Sequence, residues 1–148
     1  MKSRTLFLFG MLAVTCILNA CSSGPVMKVH PSSASIQQLA VQPNGDWKIT
    51  LRIQNFSTMS MHYSAFDAKL RIAGNDAGEI RLAPDVDIVA DNGDIVETIL
   101  KTSVKLPASG DFTYQLKGTI DTSEPKAHFR LDYSSRLSPV PGVPNTYR

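Results

Sequence analysis

The sequence predicts an all-β protein, an antiparallel β-sandwich of about seven strands. Apolar and polar residues alternate with a period of two over most of residues 34–137. Turn signals rich in Gly, Asn, Asp and Pro recur about every 8–15 residues. No window shows a sustained helical period, although one short helical turn is expected near residues 56–63. An up-and-down barrel is the alternative architecture, but it usually contains more strands.

The first four strands are predicted over residues 36–41, 47–53, 64–72 and 79–82. In each strand alternate side chains are apolar, as expected where one face packs on a core and the other meets solvent. Asn44 and Gly45 separate the first two strands, because this pair tolerates the positive φ angles of a tight hairpin turn. Trp47 is large enough to anchor the core. The glycine-bounded segment 74–78 turns the chain into the fourth strand.

The last three strands are predicted over residues 95–104, 112–120 and 127–133. The first of them is apolar on both faces in its opening half, so it is expected to be a central strand. Gly118 falls on the buried face of the next strand, where it indicates a bulge or a close packing contact. The Pro-rich C-terminal tail, residues 138–148, lacks amide donors at its prolines and is expected to be extended or irregular.

Residues 1–20 have the layout of a secretory signal peptide. Lys2 and Arg4 precede an apolar run over residues 6–18, and a small residue lies just before Cys21. The run is shorter than the about 20 apolar residues of a membrane-spanning helix. The residues up to Cys21 resemble the lipobox of bacterial lipoproteins, in which the Cys thiol is acylated and the signal is cut before it. The resemblance implies lipidation of Cys21. The alternatives are an ordinary secretory signal that leaves the Cys21 thiol free, or cleavage at another position.

Residues 21–33 are rich in Ser and Pro and are expected to form a flexible tether between the lipid and the domain. By the sorting rule of Gram-negative lipoproteins, Ser22 after the cysteine implies the outer membrane, with the protein facing the periplasm. The membrane is therefore an expected partner, through the lipid on Cys21. Three acyl chains would hold the chain firmly, because stable anchoring takes about two such signals.

Length, charge and cysteine content limit the number of domains and exclude one class of function. Removing residues 1–20 from the 148 leaves 128, enough for one domain. Lys plus Arg then falls from 15 to 13 and equals Asp plus Glu at 13, which excludes a basic nucleic-acid-binding protein. Hydrophobic content of 43% against 19% charged favours a packed core. Cys21 is the only mature cysteine, so the domain must fold without an internal disulfide.

The mature sequence offers little for catalysis, and neither a catalytic residue nor a cofactor is expected. Its histidines, His30, His62 and His128, are widely spaced and match no metal-ligand motif. The best candidate site is an acidic run that contains Asp85, Asp87, Asp91, Asp94 and Glu97. Carboxylates suit Ca²⁺, but Ala90 stands where an EF-hand loop requires its bending glycine. The alternative is that these acids keep two loops soluble and that residues 91–94 form a turn.

The order of these signals resembles the group 2 late embryogenesis abundant (LEA) domain, also called the water stress and hypersensitive response domain. The resemblance covers residues 34–135 and includes the strand that ends at Asn55, the turn at 72–74 and the segment 89–93. The family commonly carries Asn-Pro where this chain has Asn55 followed by Phe56. The resemblance implies an immunoglobulin-like or fibronectin type III-like sandwich without known catalysis, associated with desiccation and other stress responses.

These features are consistent with two main functions. The first is a non-enzymatic stress-protective domain that lipid holds at the cell envelope. The second is a periplasmic binding module, which would dock an envelope protein or lipid through a sheet edge, a loop or the Pro-rich tail. An accessory subunit of a periplasmic enzyme is a third possibility.

Overall fold

The computed structural model describes residues 24, 26–107 and 109–148. The strands within them are β1 (Ser33–Val41), β2 (Trp47–Gln54), β3 (Met61–Ile72), β4 (Asn75–Leu82), β5 (Val86–Ile88), β6 (Gly93–Leu100), β7 (Phe112–Glu124), β8 (Lys126–Leu137) and β9 (Thr146–Tyr147). One antiparallel sheet has the order β6-β2-β1-β9 and the other β4-β3-β7-β8, with β5 pairing with the start of β3. The predicted all-β sandwich is confirmed.

The described residues contain no helix, so the short helical turn expected near residues 56–63 is wrong. The chain bends there as an irregular loop before β3 begins. No helix of the described part of the chain is long and apolar enough to span a membrane. The signal peptide and Cys21 lie outside the described residues.

The core lies between the two sheets and is filled by alternate residues of the long strands. On β2 the inward side chains are Trp47, Ile49, Leu51 and Ile53, and none is more than 2% exposed. Phe66, Leu70 and Leu116 are among those that the second sheet contributes. Each fully buried side chain of this size contributes about 1.5–3 kcal/mol relative to an exposed one. Trp47 is thus a core residue, as predicted.

A bulge in β3 changes which residues face the core. The pairing of β3 with β7 shifts register between Tyr63 and Ala65, so Tyr63 and Phe66 are both buried although they are three positions apart. Ser64, which simple alternation places beside Phe66, is only partly buried, and its hydroxyl donates to the carbonyl of Asp121 at 3.4 Å. Ser64 therefore does not share the core-facing side with Phe66, because the extra residue reverses the alternation.

β6 is an edge strand, so the expected central position of this segment is wrong. It pairs with β2 alone, and it ends at Leu100. Ile95 and Ile99 point outward and are 54% and 53% exposed, whereas Leu100 is buried. Both faces of this strand carry apolar side chains, but only the inner face packs toward the core. The outer face is open to solvent.

Most of the C-terminal tail is irregular, as expected, but Thr146–Tyr147 form β9, which extends the first sheet. β9 pairs with β1, and Ser138 and Arg148 exchange backbone hydrogen bonds of 2.6 and 2.9 Å. The ring of Tyr147 packs edge-on against that of Phe112, with centroids 5.0 Å apart. Prolines lack amide donors, but those of the tail precede β9, so the residues that pair with β1 keep theirs.

Candidate interaction surface

The end of the sandwich at which β1 begins is formed by connected loops. Ser33 of β1, Gln54 of β2 and Gly93 of β6 pair side by side there, which places the neighbouring loops at one end. The loops are the segments 26–32, 55–60, 83–85 and 89–92. We call them together the loop end.

Asn55 holds two of these loops together. Its side chain is fully buried, and its amide nitrogen donates to the carbonyls of Met59 and Ile88, both at 2.9 Å. The same nitrogen lies 3.2 Å from the carbonyl of Val89. Its Oδ1 accepts a 2.8 Å hydrogen bond from the backbone N–H of Ser57. Both ends of the buried amide are therefore satisfied, which fixes the loop after β2 against the loop after β5.

Ser57 and Thr58 attach the N-terminal segment to the loop end. The backbone N–H of Lys28 donates to Oγ1 of Thr58 at 2.8 Å, and the N–H of Thr58 donates back to the carbonyl of Lys28 at 3.0 Å. The N–H of His30 donates to Oγ of Ser57 at 2.9 Å. The segment before β1 is thus hydrogen-bonded to a loop about 30 positions further along the chain.

The expectation of a flexible tether over residues 21–33 is therefore wrong for residues 26–32. Besides the bonds to the loop, the Ser32 hydroxyl lies 2.6 Å from the Tyr63 hydroxyl, and both residues are buried. Burial raises the pKa of Tyr63 above its ordinary value of 10.0, although the bond to Ser32 opposes this. Composition alone suggested flexibility because the hydrogen-bond partners are remote in the sequence.

Exposed apolar side chains lie on the same segments as these hydrogen bonds. Five of them lie on the bonded segments: Val26, Met27, Val29, Phe56 and Val89. Their exposed fractions range from 44% for Val29 to 71% for Met27. Among the described residues, the other exposed large apolar side chains are Ile95, Ile99 and Val143. We call the five residues the loop-end patch, and such a concentration is typical of a contact surface.

His62 forms a charged cluster with the acidic residues around β5. Its Nδ1 lies 2.8 Å from a carboxylate oxygen of Asp87, and its Nε2 lies 3.2 Å from one of Asp85. The hydrogen bond with Asp87 raises the pKa of His62 above its ordinary value of 6.5, against a smaller opposing effect of burial. The side chain of His62 is 30% exposed and those of both partners are more than 75% exposed, so the cluster lies at the surface.

The remaining acids of the run 85–97 do not join this cluster. Glu97 pairs with the lysine of β2 at 2.9 Å, and Asp94 accepts a hydrogen bond from the next backbone N–H at 2.7 Å. Asp91 adopts a φ of 52°, and its N–H donates to the carbonyl of Ser57. Across the described residues no group of three or more His, Cys, Asp or Glu side chains could hold a metal ion. The chain turns at residues 90–91, just before β6 begins at Gly93, so the turn lies earlier than the predicted residues 91–94.

Ser64, Asp121 and His128 are the described residues that most resemble a hydrolytic triad. They lie on neighbouring strands beside a surface depression of about 670 Å³. Asp121 lies between the other two, because its carbonyl accepts the Ser64 hydroxyl while its carboxylate bonds to Nδ1 of His128. An activated serine instead needs the imidazole directly on its hydroxyl. The observed order of the three groups does not activate Ser64.

No protein-family profile and no curated protein sequence matches this chain. Among solved structures, a GH2 β-galacturonidase from Eisenbergiella tayi is 12% identical, with a TM-score of 0.44 over 75% of this chain. The chain spans only 18% of that enzyme. The solution structure of a candidate LEA protein is 11% identical, with a TM-score of 0.47, and the match covers 93% of this chain and 79% of that one.

A crystal structure of a protein from Archaeoglobus fulgidus is 10% identical, with a TM-score of 0.40 over 76% of this chain and 98% of that one. At these identities and TM-scores, the similarities carry no conclusion about the family or the function of this chain.

Proposed function

We propose that this chain is a non-enzymatic lipoprotein of the cell envelope, anchored in the outer membrane by acyl chains on Cys21 and facing the periplasm. Its sandwich works by contact, through surfaces held on a rigid scaffold. The observation that carries this proposal is the loop end. The N-terminal segment, which connects the domain to Cys21, lies at this end and is hydrogen-bonded to Ser57 and Thr58. The same segments carry the loop-end patch.

Intact mass spectrometry of the protein extracted from membranes tests the anchor. The wild type is expected to exceed the mass of the chain beginning at Cys21 by several fatty acyl groups and a glyceryl unit. The Cys21→Ala variant should lose this excess and remain in its precursor form. Ser23→Ala is the matched control and should keep the full lipid mass. A wild type recovered without added acyl groups would contradict the proposal.

The protective role of the sandwich is supported by the resemblance to the group 2 LEA domain. We expect a deletion strain to survive drying and osmotic shock less well than the parent. Re-expression of the wild type should restore survival, and re-expression of Cys21→Ala should not, since the protein would then be misplaced. Survival of the deletion strain equal to that of the parent would count against a protective role.

A binding module for an envelope protein is the second candidate, and the open edge of β6 favours it. Ile95 and Ile99 are exposed on this edge strand, whose outer backbone groups could pair with a partner strand. In vivo cross-linking should then yield a defined product that is lost in the double variant Ile95→Thr, Ile99→Thr and kept in Val143→Thr. Truncation after Leu137 would be a poorer test because it removes β9 from the first sheet.

A further inference from the structure

We infer that the loop-end patch rests on the lipid bilayer that holds the acyl chains of Cys21, so that the sandwich stands on the membrane by its loop end. This inference rests on the proposed lipid anchor. It adds a second, apolar contact that fixes the orientation of the domain and determines which surfaces remain free.

The covalent distance between anchor and patch is short. An extended chain advances at most about 3.6 Å per residue, so the five steps from Cys21 to Val26 span roughly 18 Å. Beyond Val26 the chain is fixed, because Lys28 and His30 are bonded to the loop after β2. The opposite end of the sandwich is a full strand length further away, roughly 26 Å for the eight residues of β2. The anchor therefore holds the loop end nearest to the bilayer.

The chemistry of the loop end suits a lipid surface. The five side chains of the loop-end patch are aliphatic, thioether or aromatic, and all are exposed in the isolated chain. The neighbouring exposed charges are mixed in sign, with Lys28 on one segment and Asp85 and Asp91 on others. We therefore expect apolar insertion without a requirement for anionic lipid. Because the anchor supplies a high local concentration, weak affinity of the patch is sufficient.

Single-cysteine labelling of the lipidated protein tests this orientation. Cys16 leaves with the signal peptide and the Cys21 thiol is acylated, so an introduced cysteine is the only free thiol. Phe56→Cys and Val89→Cys place a fluorophore in the patch. Asn44→Cys and Val143→Cys are matched controls at the opposite end of the sandwich. Each protein is reconstituted in vesicles of phosphatidylethanolamine, with or without phosphatidylglycerol, and with nitroxide-labelled lipid as quencher.

Labels at positions 56 and 89 should show blue-shifted emission and several-fold stronger quenching than labels at 44 and 143, in both lipid mixtures. Equal quenching at the two ends would overturn the inference. A blue shift at the patch without lipid quenching would also overturn it, because it would indicate burial against a second copy or another protein.

A second measurement separates failure of the patch from failure of the anchor. If mass spectrometry shows no acyl chain, the free Cys21 thiol is coupled to a maleimide-bearing lipid in the same vesicles. Amide hydrogen exchange in residues 55–58 should then slow several-fold on the membrane for the wild type. It should not slow for the double variant Phe56→Ser, Val89→Ser. Equal exchange rates of the wild type on and off the membrane would overturn the inference.

Discussion

The phenolic hydroxyl of Tyr114, on β7 of the second sheet, accepts a 3.0 Å hydrogen bond from the backbone N–H of Ile36 on β1 of the first sheet. Both residues are buried. The pairing of β1 with β2 shifts register immediately after Ile36, and Tyr114 receives the N–H at this irregularity. Burial raises the pKa of Tyr114 above its ordinary value of 10.0, although the bond from Ile36 opposes this. This polar contact thus crosses the apolar interior between the two sheets.

Replacing Tyr114 by Phe should lower the free energy of unfolding by about 1–3 kcal/mol, because the buried N–H of Ile36 would lose its acceptor. The measurement is the midpoint of urea unfolding at constant slope. Tyr133→Phe is the matched control, since this ring lies 6.2 Å from that of Tyr114 and is only partly buried. An unfolding midpoint of Tyr114→Phe equal to that of the control would contradict the assigned role.

Asn55→Ala should destabilise the chain by about 1–3 kcal/mol, because the carbonyls of Met59 and Ile88 would lose a buried donor. Asn55→Asp should cost more, since it would place a carboxylate among carbonyl oxygens. Gln54→Ala is a control with a partly exposed side chain. Thermal unfolding ranks the three variants. If Asn55→Asp is as stable as the wild type, the loop relaxes around position 55 and the assigned role of Asn55 is contradicted.

Gly118→Ala should destabilise the chain by about 1–3 kcal/mol through overpacking. A Cβ at this position would overlap the carbonyl oxygen of Asp67 and lie 2.6 Å from Cα of Ala68, and backbone atoms cannot rotate away. This confirms the predicted close packing contact. Lys117→Ala, whose side chain is exposed on the same strand, should change the unfolding midpoint much less. Equal midpoints for the two variants would mean that β3 and β7 separate without cost.

Protonation of His62 should stabilise the folded chain. Its pKa is raised by Asp87, so the stabilisation is complete below the unfolded pKa of about 6.5 and is lost as pH rises through the folded value. NMR titration should give His62 a pKa above 6.5, and Asp87→Asn should lower it. The difference in unfolding midpoint between the wild type and His62→Gln should shrink over the same pH range. A titration midpoint at or below 6.5 would contradict the ion cluster.

The alternation of apolar residues predicted most of the architecture because it reports which side of a strand is buried. It holds on β2 and over most of β7, where every inward side chain packs on the other sheet. It cannot report the neighbours of a strand, so it wrongly predicts a central position for β6. It also fails where one extra residue reverses the faces, as at Ser64.

The loop end was less predictable because its contacts are remote in the sequence. Asn55 is recognisable only as the residue after a strand, while two of its acceptors lie 33 and 34 positions away. Nothing in the composition of residues 26–32 indicates the partners at Ser57 and Thr58. Phe56, an aromatic residue in a polar loop, is a local sign of an exposed apolar surface.

The hairpin that carries β9 also limits how copies of this chain could polymerise. It lies along β1, the side of the first sheet opposite β6, and it is rich in prolines that offer no amide for a further strand. Over Leu39 and Ala40 the outer edge of β1 is already paired with β9 and cannot accept a further strand. Growth of a continuous ribbon through that sheet is therefore hindered at this edge.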